Sequence, residues 1–99
     1  MTDKELLELA SKACGLEEAK LRIEFNQWNP LTDDADALRL AVTLRLDIGF
    51  EKLHTVSVWS DPQDGWIIEH CDDGMGADIS EKTRRAITRA AAEIGRSMK

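Results

Sequence analysis

His54, His70, Cys71, Asp72 and Asp73 are side chains of the types that bind metal ions, and they fall in two neighbouring stretches of a 99-residue chain. Imidazole and thiolate suit zinc and related ions. A hairpin joining the two stretches would set His54 and His70 on adjacent strands. Consecutive strand residues point to opposite faces, however, so His70 and Cys71 reach a common ion only through a bulge. Asp72-Asp73-Gly74 with Asp78 offers carboxylates in a turn but lacks the ligand ladder of a calcium loop. Cys71 beside His70 or His54 has the makings of a thiol nucleophile and its base, with no third group to orient the base and no oxyanion site. Sequence therefore assigns no metal, no cofactor and no catalytic residue.

Binding through surfaces is the other chemistry on offer. Trp28, Trp59 and Trp66 supply most of the aromatic surface of a chain that has no tyrosine. Trp59 and Trp66 flank a turn and read first as cross-strand neighbours that stabilise a hairpin. Their functional alternative is an aromatic shelf for a partner or a stacked base. Lys82, Arg84, Arg85 and Arg89 lie close together near the C-terminus. On a helix they read first as a solvated face paired with the acidic remainder, and second as a contact for an acidic partner or phosphate. The candidate binding residues are thus Trp28, Asn29 and Asp33 in one stretch and Trp59 and Trp66 about the hairpin. Arg84, Arg85 and Arg89 join them from the last helix.

These residues are positioned by elements with clear local signals. Thr2 and Glu5 form a capping box, and Leu6, Leu7, Leu9, Ala10, Ala13 and Cys14 follow at helical spacing up to Gly15, which predicts a helix over Asp3 to Cys14. Leu21, Ile23 and Phe25 alternate with polar residues as a short edge strand would, within Ala19 to Trp28. After the Trp28-Asn29-Pro30-Leu31 break, Thr32, Asp33 and Asp34 offer caps for a helix from Asp33 to about Arg45. A competing signal runs through the same residues: Leu38, Leu40, Val42, Leu44, Leu46, Ile48 and Phe50 alternate at strand period, so that Leu38 to Phe50 also reads as one long strand. The cap signal favours helix, with a strand following over Asp47 to Glu51. His54 to Trp59 and Trp66 to Cys71 read as a hairpin. Asp78 or Ser80 caps a final helix whose stripe is Ile79, Ala86, Ile87, Ala90, Ala91, Ile94 and Met98. The expected class is α+β, in the order α-(β)-α-β-β-β-α. It has three helices, each with one apolar stripe, layered on an antiparallel sheet of three strands, or four with the edge strand.

The run Trp28-Asn29-Pro30-Leu31-Thr32-Asp33-Asp34-Ala35-Asp36-Ala37-Leu38-Arg39-Leu40-Ala41-Val42, with Thr83-Arg84-Arg85-Ala86-Ile87-Thr88-Arg89-Ala90 near the end, resembles the phage ABA sandwich domain family. The resemblance covers most of the chain and implies a phage or prophage accessory protein in the cytoplasm of a bacterial host. It supports helix at Asp33 and carries over no catalytic residue. Where the family has a tight Gly before the acidic residues of the second helix, this chain has Ala35.

The bulk figures fit a single domain. The chain is 42% hydrophobic and 32% charged, which is too apolar for a disordered acidic segment. No apolar run reaches the roughly 18 residues of a membrane span, and the first residues contain no apolar signal core. Cys14 and Cys71 are not in a ligand spacing and read as reduced thiols. The net charge of −6 hides an asymmetry: residues 1–79 hold 7 basic and 17 acidic side chains, and residues 80–99 hold 6 and 2. An acidic chain is repelled by nucleic acid unless one face is basic, so only the last helix could make such a contact. The expected function is protein binding, with a homodimer among the expected states. The alternative is a site for a nucleotide-like molecule, with tryptophan stacking and arginine on phosphate.

Overall fold

The structure is a computed structural model and describes residues 2–15, 28–51, 55–60, 65–70 and 79–98. Within them the order is α1 (Asp3–Cys14), α2 (Asp34–Leu44), β1 (Asp47–Glu51), β2 (Thr55–Ser60), β3 (Gly65–His70) and α3 (Ile79–Ser97). Three helices and a small antiparallel sheet make the class α+β, as the patterning predicts. The edge strand expected over Ala19 to Trp28 lies outside the described residues except for Trp28, which is not in a strand. His54, Cys71, Asp72, Asp73 and Asp78 also lie outside them.

The three caps read from sequence around the first two helices are built. The Thr2 hydroxyl accepts from the Glu5 backbone N–H at 3.2 Å and donates to the Glu5 carboxylate at 3.1 Å. Gly15 ends α1 at φ 75°, where glycine carries no steric penalty. Asp33 Oδ1 accepts from the N–H groups of Ala35 at 2.8 Å and Asp36 at 3.1 Å, satisfying two donors that a helix start leaves orphaned. Helix therefore wins over strand at Leu38 to Leu44. It stops at Arg45, which takes the left-handed conformation at φ 54°.

The strands run in the order β1-β2-β3. Asp47 pairs with Trp59 and Glu51 with Thr55 in the first ladder, and Thr55 with His70 and Trp59 with Trp66 in the second. The expected cross-strand placement of Trp59 and Trp66 is the observed backbone register. Val56 and Val58 of β2 are fully buried and belong to one core with Leu7, Ala10, Trp28, Ala37, Leu40, Ala41, Ala86, Ile87, Ala90 and Ala91.

Three expectations for the last helix are corrected. Ser80 lies inside α3 rather than capping it. The helix also buries more than one stripe, because Thr88, Ala92 and Gly95 are buried alongside Ala86, Ile87, Ala90, Ala91 and Ile94. The reason is its position, since α3 touches α1, α2, β2 and β3. Met98, assigned to the stripe, is exposed.

The α1–α3 contact is close enough to require glycine. A Cβ placed on Gly95 falls onto the Leu9 carbonyl oxygen and lies 2.8 Å from its carbon, both backbone atoms that cannot swing aside. Gly95→Ala is expected to destabilise the fold by about 3 kcal/mol, at the upper end of overpacking costs. Chemical denaturation checks it, with a decrease under about 1 kcal/mol counting against the close crossing.

Candidate functional site

Asn29 and Arg84 organise the turn that delivers α2. The Asn29 N–H donates to Asp36 Oδ2 at 2.9 Å, and its side-chain Oδ1 accepts from the Leu31 N–H at 3.0 Å. Its carbonyl accepts from the N–H of Thr32 at 3.1 Å and of Asp33 at 2.9 Å. From α3, the Arg84 Nε donates to the Leu31 carbonyl at 2.9 Å, and its Nη1 reaches Asp34 Oδ1 at 2.7 Å. The guanidinium is mostly covered, and its planar fork suits two acceptors at once. Trp28, just before this turn, is 7% exposed and packs in the core.

The structure thus brings together Trp28, Asn29, Asp33 and Arg84, four of the candidate binding residues, and gives each a structural task. Arg85 meets Asp3 of α1 at 3.6 Å. Arg89 is half-buried, as is Trp59, and Trp66 is placed by its backbone register alone. The basic cluster is therefore not a freely solvated face, because Lys82, Arg84, Arg85 and Arg89 are all half-buried. A small recess of about 290 Å³ beside Arg84 and Arg85 also contains Asp3 and Glu81, whose carboxylates oppose an anion there.

A larger groove, about 420 Å³, opens between α2, β1 and α3. Ala37, Ile48, Ile79 and Ile87 line it with apolar surface, and Arg84 and Asp34 stand at its polar side. Leu38 and Phe50 also line it, and both are 61% exposed. Val42, one helical turn beyond Leu38 on the same face, is 67% exposed. Neither Trp28 nor Trp59 is among the described residues that line this groove. Sequence reasoning missed Leu38, Val42 and Phe50 as site residues, although their signal was present. A period-2 apolar run wound into a helix sends alternate residues to opposite sides, and only one side packs inward.

Among the described residues no cluster of three or more His, Cys, Asp or Glu side chains could hold a metal ion. No helix among them is long and apolar enough to cross a membrane. Comparison with protein-family models, with curated proteins and with solved structures finds no match to the chain.

Arg84→Lys is expected to lose the shared grip on Leu31 and Asp34 and to cost about 1 to 2 kcal/mol, since an ammonium cannot reproduce the two-pronged geometry. Thermal unfolding measures it. A variant as stable as the wild type would show that the fork does not hold the turn.

Proposed function

We propose that the chain is a protein-binding module whose docking face is the apolar surface of Leu38, Val42 and Phe50 at the mouth of the α2–β1–α3 groove. The observation that carries this reading is the exposure, above 60%, of three large apolar side chains, of which Leu38 and Phe50 line one groove and Val42 follows Leu38 by one helical turn. Scattered exposed apolar residues are ordinary, but a grouped set beside a groove is the usual mark of an interaction surface. The charged groups that line the groove, Arg84 and Asp34, already bind each other, which favours an apolar occupant over a charged small molecule. A phage or prophage accessory role in the bacterial cytoplasm is the proposed setting, and its support is the sequence resemblance.

Leu38→Glu introduces charge on this face without disturbing the core, because the side chain it replaces is largely solvated. Crosslinking capture from a bacterial lysate with wild-type and Leu38→Glu baits is expected to show proteins retained by the first and reduced about tenfold or more on the second. Identical captured sets from two equally folded baits would refute the assignment of this face.

A further inference from the structure

We infer that the occupant of this face is a second copy of the chain, packed α2 against α2 in antiparallel fashion about a two-fold axis. The inference rests on the protein-binding reading above and names its partner.

The pattern along α2 carries it. Ala35, Leu38 and Val42 share one exposed side of the helix, each a turn apart. Charge is divided along the same element: Asp33, Asp34 and Asp36 stand at its start, and Arg39 and Arg45 lie further on, with Arg45 at its end. A two-fold axis at the level of Leu40 sets Leu38 against Val42 of the partner subunit. The same operation places Arg45 level with Ala35 of the partner subunit, beside the partner's Asp34. Two-fold symmetry repeats every such contact, so each ion pair forms twice. Asp34 remains available for this role because its side chain is 77% exposed although it binds Arg84. A parallel arrangement would instead bring the acidic starts of the two helices together and align their dipoles.

A competing way to join two copies is through the β1 edge of the sheet, and its charges oppose it. Antiparallel pairing of β1 with itself about Gly49 would set Asp47 opposite Glu51 of the partner subunit, and like charges directly across a ladder destabilise it. Two chains of net charge −6 repel at long range, so a contact between them needs local sign alternation. The α2 face has that alternation, whereas β1 begins and ends on an acidic residue. An interface centred on an 11-residue helix falls at the small end of specific interfaces, so the range to test is centred on a dissociation constant on the order of 10 to 100 µM.

Sedimentation equilibrium across about a hundredfold range of concentration spanning that value tests the proposal. Wild type is expected to show a monomer–dimer equilibrium, Leu38→Glu to weaken it at least about tenfold, and Arg45→Glu about fivefold. Combining Arg45→Glu with Ala35→Lys sets opposite charges level with each other again while leaving the Arg84–Asp34 pair intact, and is expected to restore association to within about twofold of wild type. Circular dichroism on each variant establishes that it folds. A wild type that stays monomeric throughout, or a dimer that Leu38→Glu leaves intact, overturns the proposal. A double variant without recovery overturns the antiparallel register. A monomeric wild type that still captures proteins through Leu38 overturns only the second copy as occupant, while loss of both behaviours overturns the binding reading as well.

Discussion

Burying a helix around most of its circumference demands that its neighbours come close, and α3 meets that demand with small side chains. Ala86, Ala90, Ala91, Ala92 and Gly95 leave room for α1 on one side and for Val56 and Val58 of β2 on another. At Gly95 the Leu9 backbone itself occupies the space of a side chain. Dispersion contacts rise steeply as surfaces close, so a tightly seated helix with small residues can replace a core of large ones. Thr88 is fully buried within this packing, and its hydroxyl donates to the Arg84 carbonyl at 2.8 Å, which removes the cost of a dry polar atom.

The second constraint is the angle at which α2 meets α3, and the Trp28 to Asp34 turn sets it. Trp28 anchors the turn in the core, Asn29 closes it with its side chain and backbone, and Asp33 starts the helix. Arg84 then ties the turn to α3 by a carbonyl and a carboxylate. The outcome is a helix with Ala37, Leu40 and Ala41 packed inward and Leu38 and Val42 outward. Four of the residues whose types suggested ligand contacts, Trp28, Asn29, Asp33 and Arg84, are thereby engaged in placing a different surface.

Much of this layout was legible in the sequence because its signals are local. Thr2 with Glu5, Gly15, and Asp33 before an alanine-rich run mark helix ends by hydrogen-bonding capacity that needs no tertiary partner. The burial of α3 was not legible in the same way. Lys82, Arg84, Arg85 and Arg89 read as one solvated side, yet long basic side chains can cover apolar neighbours along their stems while their heads reach solvent or carboxylates. Thr88 and Ala92 are equally at home on a surface or in a core, so only the three-dimensional arrangement reveals that they are enclosed.

The alternation from Leu38 to Phe50 is the instructive case. In a strand such a pattern makes one apolar and one polar face, and all its large side chains could be buried together. In a helix, residues two apart lie about 200° apart, so the same pattern makes two apolar sides. The Asp33 cap commits Leu38 to Leu44 to helix, and the protein's own core accepts only the side containing Leu40. Leu38 and Val42 are then exposed as a direct consequence of a strand-like pattern in helical geometry. A helix apolar on opposite sides ordinarily lies inside a structure, with neighbours on both. On that physical ground, α2 is the element on which the proposed binding role rests.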